Sequence, residues 1–158
     1  MTRKYMKQSA TLIAVILWML LIFVLSAQST EQTNMLSLNV TEKIMSTEAA
    51  MDLDLTDPTN IIVQQNTFLR KTAHFSLFMV LGVLVSFALK VRGAKGNRAY
   101  IFAALTCILY AFSDEMHQTF VPGRHAALLD VLIDAAGAMF GIVGFSLLHS
   151  LWLNRKMK

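Results

Sequence analysis

Residues 128–152 read LLDVLIDAAGAMFGIVGFSLLHSLW. About 20 apolar residues cross the hydrocarbon core of a bilayer as a helix, and this run is long enough to do so. Its only acids, Asp130 and Asp134, stand near one end. A charged group at hydrocarbon depth costs on the order of 3 kcal/mol even on mild insertion scales. Two acids together therefore point to a helix tip that enters a polar, protein-lined site. At 100° per residue, Asp130, Asp134, Gly137, Gly141 and Gly144 fall within an arc of about 80°. Gly137-x-x-x-Gly141 is a small-residue stripe along which another helix can approach closely. The aspartates share that stripe, so they are expected to face the bundle rather than lipid.

Three further apolar runs precede this one, at about residues 10–27, 73–91 and 99–118. Each carries polar residues at one end: Ser26, Gln28 and Ser29 on the first, Arg70-Lys71-x-x-His74 on the second, and Asp114-Glu115-x-His117-Gln118 on the third. Counting about 20 residues from the opposite end of each run places these clusters and Asp134 at one depth, the boundary between hydrocarbon and headgroups. On the third helix Cys107, Tyr110, Asp114, His117 and Gln118 share a face, and Glu115 points about 100° away from Asp114. The pattern predicts an all-α integral membrane four-helix bundle whose polar groups converge from several helices.

Composition agrees with one membrane-embedded domain spanning residues 1–158. The chain is 55% hydrophobic with a mean hydropathy of +0.52, too apolar for an ordinary soluble domain. The net charge of +4 does not indicate nucleic acid, because the basic residues sort by position and form no single patch. With Cys107 as the single cysteine, no disulfide can form within the chain. Ten of the 14 lysines and arginines flank the ends opposite the polar clusters: Arg3, Lys4, Lys7, Lys90, Arg92, Lys95, Arg98, Arg155, Lys156 and Lys158. The positive-inside rule makes that side cytoplasmic, with both termini inside. Tyr5, Tyr100 and Trp152 fall at the same inner ends, where amphipathic rings are favoured.

The first run resembles a signal peptide, but a cut after Ala27 would put Leu25 where a small residue is preferred, so it is read as an uncleaved span. Residues 28–72 form the extracytoplasmic loop. A turn is expected at Asp57-Pro58-Thr59-Asn60, a short surface helix is expected around Leu36, Val40 and Ile44, and the segment from Ile61 to Thr72 is expected to lead into the second span. Asn39-Val40-Thr41 matches a glycosylation sequon by chance.

The polar clusters admit several chemistries. Arg124 follows Val121-Pro122-Gly123, a turn that would hold an arginine over the site, and arginine suits two-point capture of phosphate or carboxylate. Arg124, Arg70, Lys71, His74, Gln118 and Asp130 form the candidate binding set. If the protein is an enzyme, His117 is the acid or base, positioned by Asp114 or Asp134, with Arg124 stabilising developing negative charge. The plainer alternative for Asp130 and Asp134 is a pair of structural ion pairs with Arg124 or Arg70. Glu115, His125 and Lys71 also fit simple contact with headgroups and water, and that is the preferred reading for them. Asp114 and His117 stand i, i+3 and can supply two ligands of a metal, but no second histidine completes a helical zinc motif. No cofactor is legible. Ser26 and Ser29 have no activating base in the sequence, and Cys107 reads as a packing residue.

These residues resemble the VanZ-like family of small bacterial membrane proteins. The resemblance is carried by Leu25-Ser26-x-Gln28-Ser29, Lys71-x-x-His74-Phe75, the stretch from Tyr110 through Asp114-Glu115-x-His117-Gln118-x-Phe120-Val121-Pro122-Gly123-Arg124, and Asp130-Val131-x-x-Asp134-x-x-Gly137. It extends from the first helix nearly to the C-terminus. It implies a multi-pass protein of the bacterial plasma membrane concerned with the cell envelope, because the family takes its name from a member linked to reduced teicoplanin susceptibility. It implies no established catalytic mechanism.

Two functions remain open on this reading. One is a pocket that binds an anionic lipid-linked envelope component or modulates susceptibility to a teicoplanin-type lipoglycopeptide. The other is a membrane hydrolase or transferase acting on a lipid-linked substrate. The expected partners are membrane lipids, a lipid-linked cell-wall component or a lipoglycopeptide, and a second copy of the chain. A transporter is disfavoured, since no polar residue is read deep in the helices.

Overall fold

The computed structural model describes residues 2–27, 58–94, 96–121 and 127–156. Among them are four helices and no strand: α1 (Thr2–Ser26), α2 (Pro58–Val91), α3 (Arg98–Gln118) and α4 (Leu128–Lys156). Neither α1 nor α3 contains glycine or proline, so nothing in their interiors interrupts the hydrogen-bond ladder. Gly82 of α2 and Gly137 and Gly141 of α4 lie where another backbone approaches. Each helix holds a stretch long and apolar enough to cross a membrane: Arg3–Ser26, Thr67–Val91, Arg98–Gln118 and Leu128–Trp152.

α2 begins at Pro58, so Pro58, Thr59 and Asn60 are helical and do not form the expected turn. Proline is favoured in a first helical turn because its missing N–H has no intrahelical partner there. The expected surface helix and the sequon lie outside the described residues. α2 is closed by Gly93, two residues past its end, whose φ of 92° is a left-handed conformation. The Gly93 N–H donates to the Lys90 carbonyl and the Ala94 N–H to the Leu89 carbonyl, closing the helix with a Schellman cap.

Contacts between helices fix their directions. Gln8 reaches the Val91 carbonyl and Trp18 the Leu77 carbonyl, so α1 and α2 are antiparallel. Tyr110 donates to the Met19 carbonyl and Ser26 to Asp114, so α1 and α3 are parallel. The starts of α1 and α3 therefore share an end with the close of α2, and the polar clusters gather at the other end. The α2–α4 pair is the most extensive contact in the bundle, and α1 does not touch α4 among the described residues.

The core is narrow. Val15 and Ile22 of α1, Phe78, Leu81 and Val85 of α2, Ala103, Cys107 and Ala111 of α3, and Ala138 and Ile142 of α4 are buried. α3 presents mostly small residues inward, at Ala99, Ala103, Cys107 and Ala111, which lets it lie close to its neighbours. Large apolar side chains such as Leu17, Leu20, Phe102, Leu109, Phe140 and Leu148 point outward. That inverted distribution suits a hydrocarbon surrounding and would be a liability in water. One polar residue does lie inside the helices: Ser86 is fully buried, and its Oγ has no partner among the described residues.

Candidate functional site

The site begins with the way α2 and α4 meet. A Cβ on Gly137 would overlap the Phe75 carbonyl, and one on Gly141 would overlap that of Met79. These two glycines let the helix backbones touch, as the small-residue stripe predicts. Gly144, placed on the same arc, faces open space. The matched residues ascend together, Phe75 with Gly137 and Met79 with Gly141, so α2 and α4 run parallel. One turn toward the polar end, the same register sets His74 beside Asp134 and Lys71 beside Asp130.

Lys71 Nζ lies 2.8 Å from Asp130 Oδ1. The contact does not align as a hydrogen bond, so its attraction is chiefly coulombic. This corrects the reading that Lys71 simply faces headgroups and water, and among the described residues Asp130 pairs with Lys71 rather than with Arg70. His74 Nδ1 lies 3.6 Å from Asp134 Oδ2, beyond hydrogen-bond reach. Asp134 is only 2% exposed.

Asp114 is equally buried. Its Oδ2 accepts from the Ser26 hydroxyl at 2.9 Å and from the Gln118 amide at 3.1 Å. Its Oδ1 is buried and has no hydrogen-bond partner among the described residues. His74, Asp114 and Asp134 each offer one atom, and these atoms lie within 4.8 Å of one another. Three helices thus deliver one imidazole and two carboxylates to a single point, and the fourth helix, α1, fixes Asp114 through Ser26.

Glu115 is buried, contrary to the expectation that it faces headgroups. Its Oε1 accepts the Ala127 N–H at 2.6 Å. Ala127 immediately precedes α4, and its carbonyl accepts the Asp130 N–H. Glu115 therefore does from α3 what a capping-box glutamate does within one helix, binding the start of α4 to the end of α3. Asp130, in the first turn of α4, also complements the helix dipole.

His117 stands apart from this group. Its ring centroid is 4.1 Å from that of Phe23 on α1, and its buried Nδ1 has no partner among the described residues. The imidazole that joins the aspartates comes from His74, so the i, i+3 pairing of Asp114 with His117 is not the one the bundle assembles. Arg124 and His125 lie outside the described residues. Ser26 and Glu115 were not singled out as site residues from sequence. The depth count carried a signal for Ser26, whereas the role of Glu115 depends on where α4 starts.

A shallow cleft, enclosing room for about one water molecule and otherwise open to the exterior, is lined by Arg70, Lys71, His74, Gln118, Asp130, Ile133 and Asp134. Of the expected binding set, Arg70, Lys71, His74, Gln118 and Asp130 line it. Among the described residues Arg70 makes no ion pair. The arrangement offers cations at the mouth and carboxylates with an imidazole beneath them, in a form suited to an anionic group or a metal ion.

No curated protein and no solved structure matches the chain. Residues 11–149 match the family described as VanZ/LLP1, and that stretch carries most of each membrane-spanning segment and all the cleft residues. A multi-pass membrane protein built on four apolar helices, the chain belongs to the VanZ/LLP1 family.

Proposed function

We propose that the protein resides in a bacterial plasma membrane with both termini cytoplasmic. Its cleft opens at the outer leaflet, where it holds the anionic headgroup of a lipid-linked envelope component. The observation that carries this reading is the cleft mouth. Arg70 and Lys71 stand side by side on α2, and Arg70 has no carboxylate partner among the described residues. A guanidinium at headgroup depth is suited to two-point binding of phosphate or carboxylate. Orientation is supported by the ten lysines and arginines that flank the opposite helix ends.

An acylated glycopeptide of the teicoplanin type would meet the same cleft from the lipid side, its chain in the bilayer and its polar body at the mouth. On this reading the protein alters susceptibility by occupying or shielding the lipid-linked component such an antibiotic seeks. The test is extraction of the full chain with its surrounding lipid, followed by mass spectrometry. The wild type should retain an anionic lipid-linked species enriched over the bulk membrane. Arg70→Ala with Lys71→Ala should lose at least tenfold of it, while His117→Asn should keep it. A wild-type sample with no enrichment over bulk lipid rejects the proposal.

A further inference from the structure

We propose that His74, Asp114 and Asp134 hold one divalent metal ion at the floor of the cleft. The three groups come from α2, α3 and α4, and their donor atoms lie within 4.8 Å of one another. Both aspartates are 2% exposed. Two carboxylates crowded out of water repel each other unless something cancels their charge, and among the described residues Lys71 pairs with Asp130 while Arg70 pairs with neither Asp114 nor Asp134. One imidazole and two carboxylates carry the charge of −2 that a divalent ion neutralises.

Two geometric observations point to a cation in particular. His74 Nδ1 and Asp134 Oδ2 stand 3.6 Å apart, too far to bond directly. A tetrahedral ion with bonds near 2.1 Å sets its ligand atoms roughly 3.4 Å apart. Asp114 is the second observation. Its Oδ2 is held by Ser26 and Gln118, while its Oδ1 is buried with no donor among the described residues. Outer hydrogen bonds that orient one carboxylate oxygen and leave the other available are the usual support of a metal ligand.

A mixed nitrogen and oxygen donor set fits Zn²⁺ or Mn²⁺ better than ions that demand oxygen alone. Three protein ligands leave a coordination position open, and His74 and Asp134 both line the cleft. The ion would also remove the repulsion that the aspartates would otherwise present to an anion entering past Arg70. The metal site itself does not depend on the headgroup proposal.

The experiment uses the full chain in nanodiscs of phosphatidylcholine, stripped with a chelator and resupplied with Zn²⁺ or Mn²⁺. About one equivalent should survive desalting, measured by elemental mass spectrometry. The melting temperature should rise by roughly 5–10 °C at a hundredfold excess over Kd. His74→Ala and Asp134→Asn should each lower retained metal at least tenfold, and His117→Asn should leave it within twofold. Wild-type protein that retains no metal and melts at one temperature with or without it overturns the proposal, and a proton shared between the carboxylates becomes the better account. Retention that survives His74→Ala but is lost in His117→Asn overturns it too. Because phosphatidylcholine has no net charge, this result is separate from that of the lipid-capture experiment.

Discussion

Ser26, the last residue of α1, donates its hydroxyl to Asp114 of α3 across 2.9 Å, and both side chains are shielded from solvent. This bond joins two helices that otherwise meet only lightly. It also decides which oxygen of Asp114 remains available. Ser26→Ala should lower stability by about 1–3 kcal/mol, the usual cost of leaving a buried charged acceptor short of a donor. Ser150→Ala, at an exposed hydroxyl that bonds within its own helix, should change it by less than about 0.5 kcal/mol. Thermal melts of both variants in one lipid composition check the difference.

The glycines of α4 should differ sharply in tolerance. Gly141→Ala drives a methyl group into the Met79 carbonyl, a backbone atom that cannot turn aside. A loss of about 1–3 kcal/mol or more is expected from overpacking. Gly144→Ala meets nothing within 4 Å and should be neutral or slightly stabilising, since alanine is the better helix former. The measurement is the folded fraction after detergent extraction at increasing temperature. Equal tolerance at the two positions would contradict the α2–α4 contact.

Lys71 and Asp130 should show coupling that is modest in stability. Their side chains are 34% and 22% exposed, so solvent screens the pair and about 1 kcal/mol is an upper expectation. A cycle of Lys71→Met, Asp130→Asn and the double variant measures that term. Near-additive losses would show that the pair contributes little as an interaction.

Topology has a direct chemical test. Phe120, at the polar end of α3, and Asn97, at its start, are both exposed, and the native Cys107 is buried. In a Cys107→Ala background, Phe120→Cys should react with a membrane-impermeant maleimide in intact cells. Asn97→Cys should react only after the membrane is opened. The reverse pattern would invert the orientation read from the basic residues.

The bundle was legible from sequence because a helix has a fixed rise. Counting residues was enough to put Ser26, His74, Asp114 and Asp134 at one level, and they are in contact there. The glycine stripe was legible for a similar reason, since 3.6 residues per turn fixes which residues share a face. Partner choice was not legible, because it depends on how each helix is rotated and shifted against its neighbours. Lys71, placed among headgroups by its length and charge, is turned toward Asp130 by the α2–α4 register. His117 shares a predicted face with Asp114, yet α1 supplies Phe23 to cover its ring, and His74 takes the place beside the aspartates. Glu115 was assigned outward from a helical wheel of α3 alone, which carries no information about the Ala127 amide.

Because the α2 and α4 backbones interlock at Gly137 and Gly141, sliding one past the other would have to lift carbonyl groups over one another. His74 and Asp134, which ride on those two helices, are therefore carried as one plate, and the spacing between them should survive whatever enters the cleft. Any breathing of the mouth is left to α1 and α3, which are tied to each other through the Ser26 and Tyr110 hydroxyls.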